Sequence, residues 1–296
     1  MNIQACTALL LSAALASACT ESPLPSRAAG PVWIDADVAI ELPLHDVDDA
    51  WAIAYALRRY PASIVGISLV HGNTDDMAHQ EFATTRLLDQ LSPRNIPLYI
   101  GAGSPQDRAP TAASNALVAA LRQGPLTVLT MGRLTNVATA LRTAPELAAN
   151  VQELVILGGR RADFNPSFGP DGIIFPDSNV EGDAAAVEEL VALGVPITLI
   201  PTELTTQFTI TEPDLAAVAA QSTAGAYLAR HSEDWLTAVS TLVGIDGFFP
   251  FDLFVTSYAD DAHRDLITCH TVPLRLNYGP DESFKPPTPK WAWPSP

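Results

Sequence analysis

Val32-Trp33-Ile34-Asp35-Ala36-Asp37, followed by Asp46-Val47-Asp48-Asp49-Ala50, is the stretch around which the rest of the chain arranges itself. A short apolar run ends in two acids spaced i, i+2, which in a strand share one face. The second acid cluster opens Ala50-Trp51-Ala52-Ile53-Ala54-Tyr55-Ala56-Leu57, whose alanines favour helix. Asp48 and Asp49 then occupy the helix's first turn, where the macrodipole favours negative charge. The pattern is strand, loop, helix, with carboxylates crowded where ligands bind in an open α/β sheet. Two carboxylates about 4 Å apart repel by roughly 4 kcal/mol at an effective dielectric of 20. Such acids either cap a helix and face water, share a proton, or hold a cation. An all-oxygen cluster suits a hard ion, calcium or magnesium, and calcium tolerates irregular loops better.

The chain has 296 residues, 48% hydrophobic, with a formal charge of −17. That length supports one large domain or two small ones. Its acidity excludes nucleic acid as a partner, because phosphate binding needs Lys and Arg. The only lysines are Lys285 and Lys290. Thr7 to Ala18 is too short to span a membrane but has the length of a signal-peptide core. Leu15-Ala16-Ser17-Ala18-Cys19 resembles a bacterial lipoprotein processing site, with the leucine one place further from the cysteine and no Lys or Arg before it. Residues 1–19 are therefore expected to be a signal peptide, with lipid on Cys19 in the lipoprotein variant. The chain would be exported to the periplasm, free or membrane-anchored. Residues 20–30 read as a tether, 31–278 as one domain and 279–296 as an irregular Pro-rich tail. Cys269 is then left alone, which predicts no disulfide and a buried structural thiol.

Apolar β-like runs alternate with helical ones after the tether. Strands are expected at 63–70, 97–100, 126–131, 153–157, 196–200 and 266–276. Helices are expected at 77–91, 114–123, 134–142, 183–193, 215–220, 225–243 and 251–258. Residues 160–179 read as a long loop, of a length usually functional or disordered. This alternation predicts an α/β fold, a mostly parallel open sheet with helices on both faces and a Rossmann-like core. Polar residues follow several β-like runs: Asp35 and Asp37, Asn73, then Asp177 and Asn179 beyond the long loop. Asp252 stands among Phe248, Phe249, Phe251 and Phe254, where a carboxylate is costly unless paired or metal-bound. Taken singly, these are a turn asparagine and a helix cap.

Their order resembles that of the calcium-dependent nucleoside hydrolases, the inosine–uridine-preferring nucleoside N-ribohydrolase family, over roughly residues 31–275. The matching segments are Asp35-Ala36-Asp37 with Asp48-Asp49-Ala50, Gly72-Asn73, Gly132-Arg133-Leu134-Thr135-Asn136, Asp177-Ser178-Asn179 with Asp183-Ala184-Ala185, and Asp252. The resemblance implies hydrolysis of the N-glycosidic bond of ribonucleosides to free base and ribose. It implies a Ca²⁺ held by Asp37, Asp49, Asp252 and the backbone carbonyl of Met131. Asp37 would also be the general base, and Asp48, Asn73, Asp177 and Asn179 would hold the ribose hydroxyls. Homo-oligomers are frequent in this family. An oxocarbenium-like sugar needs water on one face, a leaving base on the other and carboxylates nearby.

Three departures stand out. Residues 38–47 replace a much shorter family loop and are expected to bulge outward. Phe251 occupies the place where some members carry a leaving-group histidine, an acid worth 10² to 10⁴ in rate. Asp177 is one methylene shorter than the usual Glu. Trp235, Phe248 or Phe249 could stack on a base, and His45 could replace the missing acid. His71 lies near the site by position, and His79, His231, His263 and His270 get no role. Two rival functions remain: an exported protein of this fold that binds calcium and a ribosyl ligand with weak or no turnover, and a haloacid-dehalogenase-type phosphatase. The phosphatase needs a lysine for its phosphate, and none precedes Lys285.

Overall fold

A computed structural model of the chain describes residues 2–8, 30–161, 164, 167–174, 177–263 and 267–273. Cys19, residues 20–29 of the expected tether and the Pro-rich tail at 279–296 lie outside the described residues. In chain order, β1 is Asn2–Ala8, β2 Val32–Ala36, α1 Asp48–Arg59, β3 Ile64–Leu69, α2 Met77–Leu91 and β4 Leu98–Ile100. Then follow α3 (Ala112–Leu121), β5 (Leu126–Thr130), α4 (Thr135–Thr143), a 3₁₀ turn (Pro145–Asn150) and β6 (Val151–Leu157). A hairpin of β7 (Ser167–Phe168) and β8 (Ile173–Ile174) precedes α5 (Ser178–Gly182), α6 (Ala184–Ala192) and β9 (Ile197–Ile200). The chain continues through α7 (Thr202–Thr205), α8 (Glu212–Ala219), α9 (Thr223–Leu242), α10 (Leu253–Tyr258) and β10 (Ile267–Pro273).

The sheet order is β10-β1-β9-β6-β5-β2-β3-β4, with every neighbouring pair parallel except β1 with β10. From β2 the chain winds outward through β3 and β4, and from β5 through β6 and β9 in the other direction. The order thus reverses between β2 and β5, the switch point beyond whose carboxyl ends ligands bind. Alternation along β2 feeds two cores. Val32, Ile34 and Ala36 pack with α1, α2, α9 and α10, and Trp33 packs on the opposite face with α3, α4 and α6. Helix α1 is buried from Asp48 to Leu57, so its alanine-rich, almost wholly apolar sequence suits a helix covered all round.

The expected mostly parallel α/β sheet is present, and α2 has the expected bounds. Four features differ. Asn2–Ala8, assigned by sequence to a leader, forms β1 between β9 and β10. Cys269 is disulfide-bonded rather than a lone thiol, and the antiparallel register sets Cys6 opposite it. The loop after β6 contains a short hairpin, with Ser167 paired to Ile174. Residues 38–47 bulge outward only in part: Val38, Ala39, Ile40 and Val47 are buried, whereas Pro43 and Leu44 are exposed. His79 Nε2 donates to the Ile40 carbonyl at 3.0 Å, and Tyr227 Oη donates to Glu41 at 2.7 Å. The segment carries enough apolar surface to join the core, at the cost of left-handed φ values of 75° at Glu41 and 63° at Leu44.

Candidate functional site

Asp35 and Asp37 go to different places because β2 ends at Ala36. Asp35 stays in the sheet, accepting from Ser68 Oγ and, at 2.9 Å, from Asn136 Nδ2. Burial pushes its carboxyl up to about 7. Asn136 also donates to the Leu69 carbonyl and accepts from Ala102 N–H, both at 2.9 Å, so one amide ties the carboxyl ends of β2, β3 and β4. Asp37 lies past the strand end, where its backbone N–H donates to Asp49 Oδ1 at 3.0 Å. Its Oδ2 accepts from Asn73 N–H at 2.7 Å. That approach demands glycine at position 72, since a Cβ there would collide with Asp37 Oδ2. Gly132 is also tightly packed, since a Cβ there would lie 2.6 Å from Val70 Cγ1.

Asp48, Asp49 and Asp252 each offer an oxygen within 4.8 Å of the others, and all three are buried. The Asp252 N–H donates to Asp48 Oδ2 at 3.1 Å, joining the starts of α1 and α10. Asp49 Oδ2 and Asp252 Oδ1 are buried with no hydrogen-bond partner. Among the described residues, no ion pair reaches this cluster. Burial, then the neighbouring charges, raises these carboxyls: Asp49 to about 7, and Asp37 and Asp252 well above the usual carboxylate range. Asp46 is a fifth acid, assigned no role from the sequence. It accepts from the N–H groups of Val47 (2.8 Å) and Asp48 (3.3 Å), and its own burial and Asp48 raise it. Its carbonyl accepts from Asn73 Nδ2 at 2.9 Å. Its place two residues before Asp48 was the signal that could have found it.

The remaining expected residues surround this cluster less closely. Asn179 is buried, and its Nδ2 donates to the Met131 carbonyl at 2.7 Å and to the Leu157 carbonyl at 3.3 Å. Met131 itself sits at the end of β5, its N–H donating to the Asp35 carbonyl at 2.8 Å. Asp177 caps α5: its oxygens accept from Val180 N–H (3.0 Å) and Gly159 N–H (2.5 Å), and no hydrogen bond joins it to the acid cluster. Beside Asp252, Phe168 of the hairpin lies 5.2 Å from Phe249, and Phe249 lies 5.5 Å from Phe251, ring centre to ring centre. Phe248 is fully buried, its backbone bridging to Ile210, so it cannot stack on a ligand. Trp235 is partly buried against the core. His45 Nδ1 donates to the Pro43 carbonyl at 3.0 Å.

A hydrogen-bond chain runs beneath the site. Arg133 Nη1 donates to His71 Nδ1 at 2.8 Å, so the neutral ring carries its hydrogen on Nε2, which lies 2.9 Å from Thr135 Oγ1. Thr135 donates on to Asp183 at 2.5 Å, and Arg108 donates to the same carboxylate at 2.5 Å. Burial and the Arg133 charge push His71 down to about 4. This chain fixes the turn that delivers Gly72 and Asn73 to Asp37. Sequence spacing does not show it, because its members come from four separate segments.

The acid cluster sits at the switch point of a doubly wound α/β sheet, and its buried Asp48, Asp49 and Asp252 could hold a metal ion. The family model for the inosine-uridine preferring nucleoside hydrolases matches residues 32–279, and the chain belongs to that family. It is similar to the pyrimidine-specific ribonucleoside hydrolase RihA of Shewanella woodyi, 28% identical over 221 residues, 64% of this chain and 65% of the relative. It is also similar to the probable uridine nucleosidase 1 of Oryza sativa subsp. japonica, 26% identical over 200 residues, 57% of this chain and 59% of the relative. The match thus spans under two thirds of either relative. Among solved structures, the plant nucleoside hydrolase PpNRh1 shares the fold, with a TM-score of 0.63 and 23% identity over 80% of this chain and 79% of that one.

Proposed function

We propose that this chain hydrolyses the N-glycosidic bond of ribonucleosides, releasing free base and ribose, with Ca²⁺ as its metal. The observation that carries this is the buried Asp48–Asp49–Asp252 triad with two unpartnered oxygens, in a chain of this family. Partnerless buried carboxylate oxygens are costly, and a hard, oxygen-seeking dication matches an all-carboxylate donor set. Asp37, Asp49, Asp252 and the Met131 carbonyl would hold the ion. When bound, Ca²⁺ orients the ribose diol and the attacking water and lowers that water's pKa.

Asp37 takes the proton of the attacking water. Its Oδ2 is fixed by the Asn73 N–H, which leaves Oδ1 for that task. Asp48, Asn73 and Asn179 bind ribose hydroxyls. Asn179, with its amide hydrogens on two carbonyls, offers Oδ1 as an acceptor. Asp177 reaches the sugar only through lone pairs left over from capping α5. The carboxylates stabilise positive charge as it develops on the sugar. Phe168, Phe249 and Phe251 form the wall beside Asp252 on which the leaving base packs. They supply no proton.

That apolar wall favours a second reading, calcium and ribosyl-ligand binding with weak or no turnover. Base release from inosine, adenosine, uridine and cytidine, with and without a calcium chelator, separates the two. Release abolished by chelation supports hydrolysis; ligand-dependent stabilisation without release supports binding. Export to the periplasm is proposed from residues 1–19. Cleavage before Cys19 would remove β1 from the sheet, whereas retention keeps it, and the mass of the exported chain distinguishes these and reports lipid on Cys19. No helix among the described residues is long and apolar enough to cross a membrane. Homo-oligomer formation is tested by light scattering.

A further inference from the structure

Helices α1 and α10 start at the acid cluster and run the same way. At their starts, Asp48 and Asp49 face Asp252, whose carboxyl is raised by burial and then by their charges. At their far ends the chemistry is opposite. Arg59 Nε donates to Asp260 Oδ2 at 2.7 Å, with the two side chains only 3% and 0% exposed. Tyr55 Oη donates to the same oxygen at 2.8 Å and lies 2.6 Å from His263 Nδ1. Tyr60 Oη donates to the Thr256 carbonyl at 2.8 Å. Residues on the last turns of α1 thus grip the end of α10 and the residues just after it. The two clusters are close: eight residues separate Asp252 from Asp260, about 12 Å if the whole span were helical.

We infer that Arg59, Tyr55, Asp260 and His263 form a distal latch that sets the register of α10 against α1, and hence the spacing of Asp252 from Asp48 and Asp49. Across the starts one backbone hydrogen bond, Asp252 N–H to Asp48 Oδ2 at 3.1 Å, works against the repulsion of the carboxylates, which by itself sets no separation. The attractive, directional contacts at the opposite ends supply one. Buried ion pairs are seldom net sources of stability, and well-packed apolar replacements often match them. Their value here is geometric. Arg59 and Asp260 are positioning residues: neither approaches substrate, and both act through the helices they join.

The inference rests on the proposed calcium site, and calcium affinity tests it independently of turnover. In the full chain, the double variant Arg59→Met/Asp260→Leu is compared with the parent by calorimetric Ca²⁺ titration and by metal-free melting. The expected result is a metal-free melting temperature within a few degrees of the parent and a Ca²⁺ affinity reduced about 10- to 100-fold, the range for groups that orient metal ligands. Base release should fall at low calcium and recover as calcium is raised. Parent-like affinity in the variant overturns the latch. If the double variant does not fold, Asp260→Asn and Tyr55→Phe are titrated instead, and unchanged affinity in both overturns it equally. A parent that fails to bind Ca²⁺ sinks the proposed metal site instead.

Discussion

Replacing Thr135 by valine breaks the chain beneath the site at its midpoint. Valine keeps the shape, so the change removes one hydroxyl and opens no cavity. Two groups lose a partner: the Nε2–H of His71, 2.9 Å away, and the Asp183 oxygen at 2.5 Å. Asp183 keeps Arg108 and the Ala186 N–H on its other oxygen. His71 is fully buried, so water cannot replace the lost bond. Each buried group left without a partner costs about 1–3 kcal/mol, giving about 2–6 kcal/mol in all. For a domain of this size that lowers the melting temperature by roughly 2–4 °C per kcal/mol. Urea unfolding near pH 7.5 measures it as a shift in midpoint at constant slope. Thr135→Ser retains the hydroxyl and should recover most of the loss. A Thr135→Val chain within about 0.5 kcal/mol of the parent, a change too small for two orphaned groups, would show that the chain is not continuous and refute the reasoning.

Further outcomes follow from the same contacts. Gly72→Ala puts a methyl group against Asp37 Oδ2 and should cost about 1–3 kcal/mol, with a loss of calcium affinity that Asp37→Asn shares; parent-like calorimetric binding would contradict the close approach. Asp49→Asn should raise metal-free stability near pH 7.5, by removing a buried like charge, while weakening calcium binding at least tenfold, and melts with and without calcium read both signs. With metal chelated, Asp49 at about 7 against an ordinary 3.8 means the native chain holds the extra proton. Stability therefore falls as pH rises from about 4 to about 7. His71 at about 4 against 6.5 acts oppositely: its contribution is full above about 6.5 and fades as pH drops towards 4. Among the described residues, seven raised carboxyls outnumber the three lowered histidines, His71, His231 and His263, so chelated protein should melt lower at pH 7.5 than at pH 5.5, and calcium should reverse that order. A chelated melting temperature that climbs steadily to pH 7.5 would exclude protonated native carboxylates.

The parallel sheet was legible because β2, β3, β5, β6 and β9 are short apolar runs closed by polar or glycine residues, and α1 announces itself by alanine and two leading acids. Asp37, Asp48, Asp49 and Asp252 were legible as a set through their order along the chain, and the folded chain brings them together. What escaped the sequence depends on distant pairings. β1 falls inside the expected leader, residues 1–19, and its place in the sheet depends on partners at 198–199 and 267–273, far along the chain. Asp177 looked like a sugar ligand, yet both its oxygens hold backbone N–H groups, a use that only the α5 geometry reveals. Arg133, His71, Thr135 and Asp183 carry no shared spacing, so their chain appears only once the carboxyl ends of β3 and β5, on either side of β2, meet the start of α6. Residues 38–47 were expected outside because they are additional; Val38 to Ile40 are apolar and go inside, while Pro43 and Leu44 stay exposed.

The carboxylates that meet at the cluster are contributed from opposite ends of the polypeptide, Asp48 and Asp49 early and Asp252 late. A growing or partly folded chain therefore possesses only half of the cage until its C-terminal quarter docks. Interactions completed last are absent from the transition state and act on the escape rate alone. If that docking is the last step of folding, a dication seated there would leave the speed of folding unchanged and lengthen the lifetime of the finished molecule.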